Sequence, residues 1–191
     1  YDAVLITIGA STDKKLGLPG EDADGVLSAV QFLRSVGKDE IIDLTGKEVV
    51  VIGGGPAGCE AALTAAQRGH KVVLFEATST LGGLANIAAL PPGKGVFATL
   101  GTYFSAMLPR AGVDVRLNTK ADADAVRALH PDHVIVATGG TPIVPRFCAG
   151  SPVVLAQDIL TGAAQAGSRV LVIGGGLVGS ETAEFLADKG R

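Results

Sequence analysis

Apolar residues in this chain come in short β-branched runs separated by stretches with helical spacing. The sharpest run is Val49-Val50-Val51-Ile52, followed at once by glycines. A short unbroken apolar run bounded by turn residues predicts a strand buried on both faces, as in parallel sheets. Comparable runs predict strands over 2–8, 71–75, 113–117, 134–137 and 170–173. Between them, the spacing predicts helices over 28–36, 59–68, 96–111, 122–129, about 157–166, and a last one ending at Lys189. Pro109 falls where it would break the last turn of its helix. Residues 37–46 read as a polar connector, and 77–95 as a loop rich in glycine and proline. Strands alternating with helices predict an α/β fold, a Rossmann-like parallel sheet with helices on both faces.

One unit organises the rest. Strand 49–52 feeds Gly53-Gly54-Gly55-Pro56-Ala57-Gly58, a helix follows, and a second strand ends on Glu76. This is the G-x-G-x-x-G fingerprint in its required setting of strand, turn, helix, strand and acid. Gly53 permits the tight turn, Gly55 lets the backbone approach a pyrophosphate, and Gly58 lets the helix pack close to the sheet. The helix N-terminus presents N–H groups and partial positive charge to phosphates. Glu76 stands about 18 residues past the last glycine, near the roughly 20-residue spacing of a ribose-binding acid.

The pattern repeats. Residues 2–10 line up with 132–140, and Gly46 to Gly55 line up with Gly167 to Gly176. The second copy carries Gly174, Gly176 and Gly179 after strand 170–173. We therefore expect tandem dinucleotide-binding units. Residues 1–46 are the tail of an upstream unit plus linker, and 47–145 a complete unit. Residues 146–167 are a linker, and 168–191 the start of a further unit. The chain opens on a strand already under way, without Met, and stops where a strand is due, so it reads as an internal piece of a longer protein.

Composition narrows the function classes. Apolar residues make up 47%, enough for a core, and the 27 glycines sit at turns and helix ends rather than in repeats. A net charge of −3 without a basic run gives no support for nucleic-acid binding. No apolar stretch reaches the length of a membrane span. Two cysteines far apart suit a reducing compartment, so we expect a cytoplasmic protein.

Several stretches together resemble the C-terminal half of flavoenzymes related to 2,4-dienoyl-CoA reductase and trimethylamine dehydrogenase. They are residues 49–58, Glu76 with Leu81-Gly82-Gly83 and Asn86-Ile87-Ala88, Pro92-Gly93-Lys94, Val136-Ala137-Thr138-Gly139-Gly140, and 174–181. The first 45 residues resemble the NADPH-dependent glutamate synthase small-subunit group. That likeness rests on Tyr1-Asp2-Ala3-Val4, Leu16 to Asp22 and Ser28 to Leu33. By position, the turn at 53–58 then falls in an NADPH slot; by content it is an FAD motif, and content covers more residues.

The resemblance implies an FAD-dependent NAD(P)H oxidoreductase: hydride passes from NAD(P)H to FAD, and electrons move on to another centre or substrate. It implies that Gly53, Gly55, Pro56, Ala57 and Gly58 cradle the FAD pyrophosphate and Glu76 holds the adenosine ribose. Gly82 and Gly83 would let the chain pass close to FAD, and Thr138 and Gly139 would close over it. Gly174, Gly176 and Gly179 would hold the NAD(P)H pyrophosphate. Further domains or subunits would carry the electron acceptor. The alternative is a non-catalytic flavin-holding or scaffold subunit of a larger redox complex. No catalytic acid–base residue is assigned.

Other chemistry-bearing residues have plainer explanations. Cys59 and Cys148 lack close-spaced partners, and Cys59 suits a small packing position. His70 reads as structural. His130 and His133 lack a helical frame and a third ligand, so no metal site is assigned. Glu60 and Glu181 follow their glycine motifs at the same place, as solvated helix residues or, for Glu181, near the cofactors. Lys94 follows Gly93, but Ala88 stands where the first P-loop glycine is needed and no Ser or Thr follows the lysine.

Overall fold

The computed structural model describes residues 23, 26–38, 46–148 and 153–190. The predicted strand over 2–8 and the resemblance over residues 1–22 lie outside them. Among the described residues, five parallel strands form one sheet in the order β1-β5-β2-β3-β4, with β1 Val26–Ser28, β2 Glu48–Ile52, β3 Lys71–Phe75, β4 Asp114–Arg116 and β5 His133–Val136. The centre is β2, which pairs with β3 through Val51↔Leu74 and with β5 through Val51↔Ile135. Val49, Val50, Val51, Leu74 and Ile135 are fully buried, which is why the central strands read as unbroken apolar runs.

Three helices, α1 Ala29–Gly37, α2 Pro56–Gln67 and α4 Ala98–Arg110, make one packed layer with α2 in the middle. Helix α2 turns Cys59, Ala61, Ala62 and Ala65 into the core. Small side chains there let it lie close to the sheet. Phe32 from α1 and Phe104 and Leu108 from α4 fill the space on either side.

The first residue of β2 is clamped to Asp132, the residue just before β5. Glu48 N–H donates to Asp132 Oδ2 at 2.8 Å, and Asp132 N–H donates back to the Glu48 carbonyl at 2.9 Å. That backbone donor, with Lys47 beside it and against some desolvation, holds the Asp132 carboxyl below its usual range.

Several elements differ from expectation, and helix α4 runs through Pro109 to Arg110 instead of breaking there. Strand β1 is too short to show a period, and its pairing with β5 (Val26↔Val134) makes it a strand. Within the expected loop 77–95 lies a one-turn helix, α3 Leu84–Ala88, with a 3₁₀ turn at Gly95–Phe97. Helix α6, Ala156–Thr161, stops short of 166 because Gly162 turns left-handed (φ 78°). Residues 170–173 form no strand among the described residues, and Leu171 is 86% exposed. Helices α5 Ala123–Arg127, capped by the Asp122 side chain, and α7 Leu177–Asp188, with a 3₁₀ turn at Arg146–Cys148, complete the description.

Candidate functional site

The turn after β2 has the geometry its glycines predict. Gly53 adopts φ 107°, and a Cβ there would meet the Ala137 carbonyl oxygen at 2.4 Å. A Cβ on Gly58 would sit 1.9 Å from the Gly53 carbonyl oxygen and 3.1 Å from Ala137 Cβ. These two glycines let β2, α2 and the end of β5 converge. Gly55 differs: its φ of −72° is ordinary, and a Cβ there would meet nothing within 4 Å. It is the N-cap of α2, with Pro56 as the first helical residue. Pro56 has no N–H, so the free donors of the first turn start at Ala57 and Gly58.

Glu76 closes this turn from the other side. It is buried, and its Oε2 accepts from Gly54 N–H at 2.7 Å. Its Oε1 accepts from the Thr78 N–H and the Thr78 hydroxyl, each at 2.7 Å. Gly54 is hemmed in further by Leu81, whose Cδ2 would lie 2.6 Å from an added Cβ. The Gly54 carbonyl accepts from Gly82 N–H (2.8 Å) and Cys59 Sγ (3.2 Å). Gly83 passes so near Gly55 that a Cβ on it would lie 3.1 Å from the Gly55 Cα. Thr138 and Gly139 leave β5 beside Gly53, with Gly139 left-handed at φ 79°. Gly53, Gly55, Gly58, Glu76, Gly82, Gly83, Thr138 and Gly139 are thus gathered at the C-terminal end of the sheet, where ligands of open α/β sheets bind.

The second glycine turn repeats the first. Gly174 has φ 109°, and a Cβ on Gly179 would meet the Gly174 carbonyl oxygen at 1.9 Å. Gly176 caps α7 with φ −77° and ψ −175°, against −72° and 175° at Gly55. An apolar cleft of about 450 Å³ lies between the segments that leave these turns. Leu84, Ile87 and Ala88 line it after Gly83, Gly140 and Thr141 after Gly139, and Val178 and Glu181 after Gly176. Ala156, Gln157 and Leu160 of α6 complete the wall. Lys94 Nζ pairs with Glu181 Oε1 at 2.8 Å beside it, joining the loop after α3 to α7. A larger cavity of about 540 Å³ opens at the opposite end of the strands, by Glu48, His70 and Lys71. It touches neither glycine turn, so the cleft is the better candidate.

The pyridine nucleotide-disulphide oxidoreductase model matches residues 1–126 and again 47–191. The chain belongs to that family. The two matches overlap over residues 47–126. Among curated relatives, an NADH oxidase of Thermoanaerobacter brockii is 49% identical over 150 residues, covering 75% of this chain and 23% of that protein. An N,N-dimethylglycine/sarcosine dehydrogenase of Chromohalobacter salexigens is 38% identical over 199 residues, covering 99% and 26%. Among solved structures, a 2-naphthoyl-CoA reductase matches with a TM-score of 0.71 at 36% identity, over 77% of this chain and 23% of that one. The chain spans about a quarter of the length of these relatives. Membership and the flavoenzyme relatives imply FAD together with NAD(P)H as the family's cofactors.

The geometry of the first turn fits such a group. It offers a backbone free of side chains at Gly55, unpaired N–H groups opening a 12-residue helix, and a carboxylate alongside. Cys59 is fully buried. Burial, reinforced by the Glu76 charge, pushes its thiol up to about 12. Sequence reasoning missed that Gly54 and Thr78 position Glu76, and it missed the pairing of Lys94 with Glu181. Thr78 carries a faint signal, a hydroxyl residue two places after the acid. The ion pair carries none, because its partners stand far apart in sequence. Among the described residues no cluster of His, Cys, Asp or Glu is grouped to hold a metal, and no helix is long and apolar enough to cross a membrane.

Proposed function

We propose that this chain is the electron-input part of a cytoplasmic FAD-dependent NAD(P)H oxidoreductase. The turn at Gly53–Gly58 with Glu76, Gly82, Gly83, Thr138 and Gly139 takes FAD, within a unit spanning 47–145. The turn at Gly174, Gly176 and Gly179 takes the nicotinamide nucleotide. The observation that carries this reading is the pair of glycine turns of matching geometry whose outgoing segments wall one apolar cleft. Two nucleotides anchored at those turns would have a shared, water-poor space for their reactive rings. The cofactors supply the hydride and electron chemistry when bound, and these residues bind, orient and exclude water. Electrons then leave for an acceptor on further domains or subunits.

The test is spectroscopic. The full-length protein is purified, its flavin identified, and NADH or NADPH added without oxygen. Bleaching of the flavin band within the single protein supports the reading. A flavin that neither nucleotide reduces would favour a flavin-holding subunit of a larger complex, and absence of flavin would sink both.

A further inference from the structure

Leu81, Gly82 and Gly83 lie along the first glycine turn. Leu81 packs on Gly54, Gly82 N–H donates to the Gly54 carbonyl at 2.8 Å, and Gly83 passes against Gly55. Gly82 and Gly83 both have positive φ, 108° and 49°, and neither has a side chain with which to anchor itself. Glycine is also the residue that loses most freedom when a chain is ordered. The anchor comes from Asn86 on α3. Its Nδ2 donates to the Leu81 carbonyl at 2.9 Å and its backbone N–H to the Gly83 carbonyl at 3.1 Å, so one residue grips both ends of the segment. The Asn86 amide also fills the space beside Gly82, where an added Cβ would lie 2.6 Å from Oδ1. Helix α4 seats the same group through its buried Gly101. A Cβ on Gly101 would lie 2.7 Å from the Leu81 carbonyl oxygen and 3.3 Å from Asn86 Oδ1.

We propose that Asn86 is a positioning residue for the flavin nucleotide. Seated against Gly101, its side chain holds Leu81-Gly82-Gly83 in one shape along the first glycine turn, and so fixes the backbone that faces the pyrophosphate. The inference rests on the assignment of this turn to FAD. Asn86 acts through the loop rather than by touching the nucleotide. A loop already held in its binding shape does not have to be ordered by the ligand, and that saving appears as affinity. The effect belongs to the pyrophosphate alone. The ribose acid Glu76 is held separately, by Gly54 N–H and by Thr78, and neither bond involves Asn86.

The test compares two ligands on the full-length protein freed of flavin: FAD, followed by flavin titration, and adenosine, which has no phosphate, followed by ligand-observed NMR. Asn86→Asp keeps the shape of the side chain but replaces the donor to the Leu81 carbonyl by an oxygen. It is expected to weaken FAD by about fivefold, the worth of one hydrogen bond, and to leave adenosine unchanged. Gly101→Ala is the second variant and leaves Asn86 in place. Alanine suits a helix interior better than glycine, so α4 itself is not weakened, while the new Cβ displaces the Leu81 carbonyl. It is expected to give the same split between FAD and adenosine. Wild-type FAD affinity in Asn86→Asp overturns the positioning role. So does a loss shared equally by FAD and adenosine, which would mean that Asn86 merely supports the fold. Wild type that binds neither FAD nor adenosine overturns the FAD assignment instead, and the positioning role falls with it.

Discussion

Two glycines of one motif make opposite demands, and exchanging each for alanine separates folding from binding. At Gly58 the added Cβ would meet the Gly53 carbonyl oxygen at 1.9 Å, and contacts of this kind essentially never fall below 3.0 Å. The obstacle is backbone, so no side chain can swing away. Helix α2 has to retreat from the sheet by about 1 Å, lifting Cys59, Ala61, Ala62 and Ala65 from contacts that leave them fully buried. Overpacking of this sort costs about 1–3 kcal/mol, and a backbone obstacle puts Gly58→Ala at the upper end, about 3 kcal/mol. At roughly 2–4 °C per kcal/mol, the melting temperature should fall by about 10 °C. At Gly55 the backbone angles suit alanine and the space is open. Stability should move by less than about 1 kcal/mol, since lost cap preference and reduced unfolded-state freedom oppose each other. The same Cβ would project where the pyrophosphate approaches, so FAD affinity should fall by about tenfold or more. Thermal unfolding of the nucleotide-free protein and flavin titration read the two effects separately. The reasoning is refuted if Gly55→Ala lowers the melting temperature as far as Gly58→Ala does, or if it binds FAD like wild type.

Further outcomes follow from single contacts. The native Cys59 thiol should resist a thiol-specific reagent at pH 8 and react after unfolding; prompt labelling of the folded protein would contradict its burial. Because folding raises the Cys59 pKa, its stabilising effect is complete below the ordinary value of 9.0 and is lost as pH rises through about 12. Cys59→Ala should therefore lack that part of the alkaline slope in a denaturation series. Folding lowers the Asp132 pKa, so its contribution is present above the ordinary 3.8 and fades as pH falls through the lowered value. Asp132→Asn should flatten the acid limb between 3.8 and that lowered value, and an unchanged limb would rule out the clamp on β2. The Lys94–Glu181 pair is partly exposed, so a double-mutant cycle with Lys94→Met and Glu181→Gln should give a coupling below about 1 kcal/mol that shrinks in high salt.

The sequence was most legible where one local rule decides the outcome. Strands β2 and β3 and the turn between β2 and α2 follow from an apolar run and three glycines, because a missing Cβ at Gly53 or Gly58 is needed whatever surrounds it. Helix α3 was not legible, because five residues carry no usable period and the loop fixes them by Asn86 Nδ2 donating to the Leu81 carbonyl at 2.9 Å. Strand β1 was missed for the same reason, since three residues become a strand only by finding β5. The role of Glu76 was half legible. Its place after β3 was marked by spacing, but its commitment to Gly54 and Thr78 depends on two loops meeting.

The two glycine turns turn this contrast into an argument about what holds a nucleotide site together. The second turn reproduces the first at φ 109° against 107°, and at 1.9 Å from glycine to carbonyl in both. Yet residues 170–173 before it pair with nothing among the described residues, while 48–52 before the first are flanked on both sides. The turn geometry is therefore local, set by glycines and the helix they open. What the sheet adds is everything that makes the first turn selective: Ala137 against Gly53, Glu76 under Gly54, and Gly83 against Gly55. A glycine motif alone provides a place for phosphate, and the neighbouring strands decide which nucleotide that phosphate belongs to. On the proposed assignment, the first turn has Ala137, Glu76 and Gly83 packed against it, whereas at the second the described residues supply the glycine turn and the helix it opens.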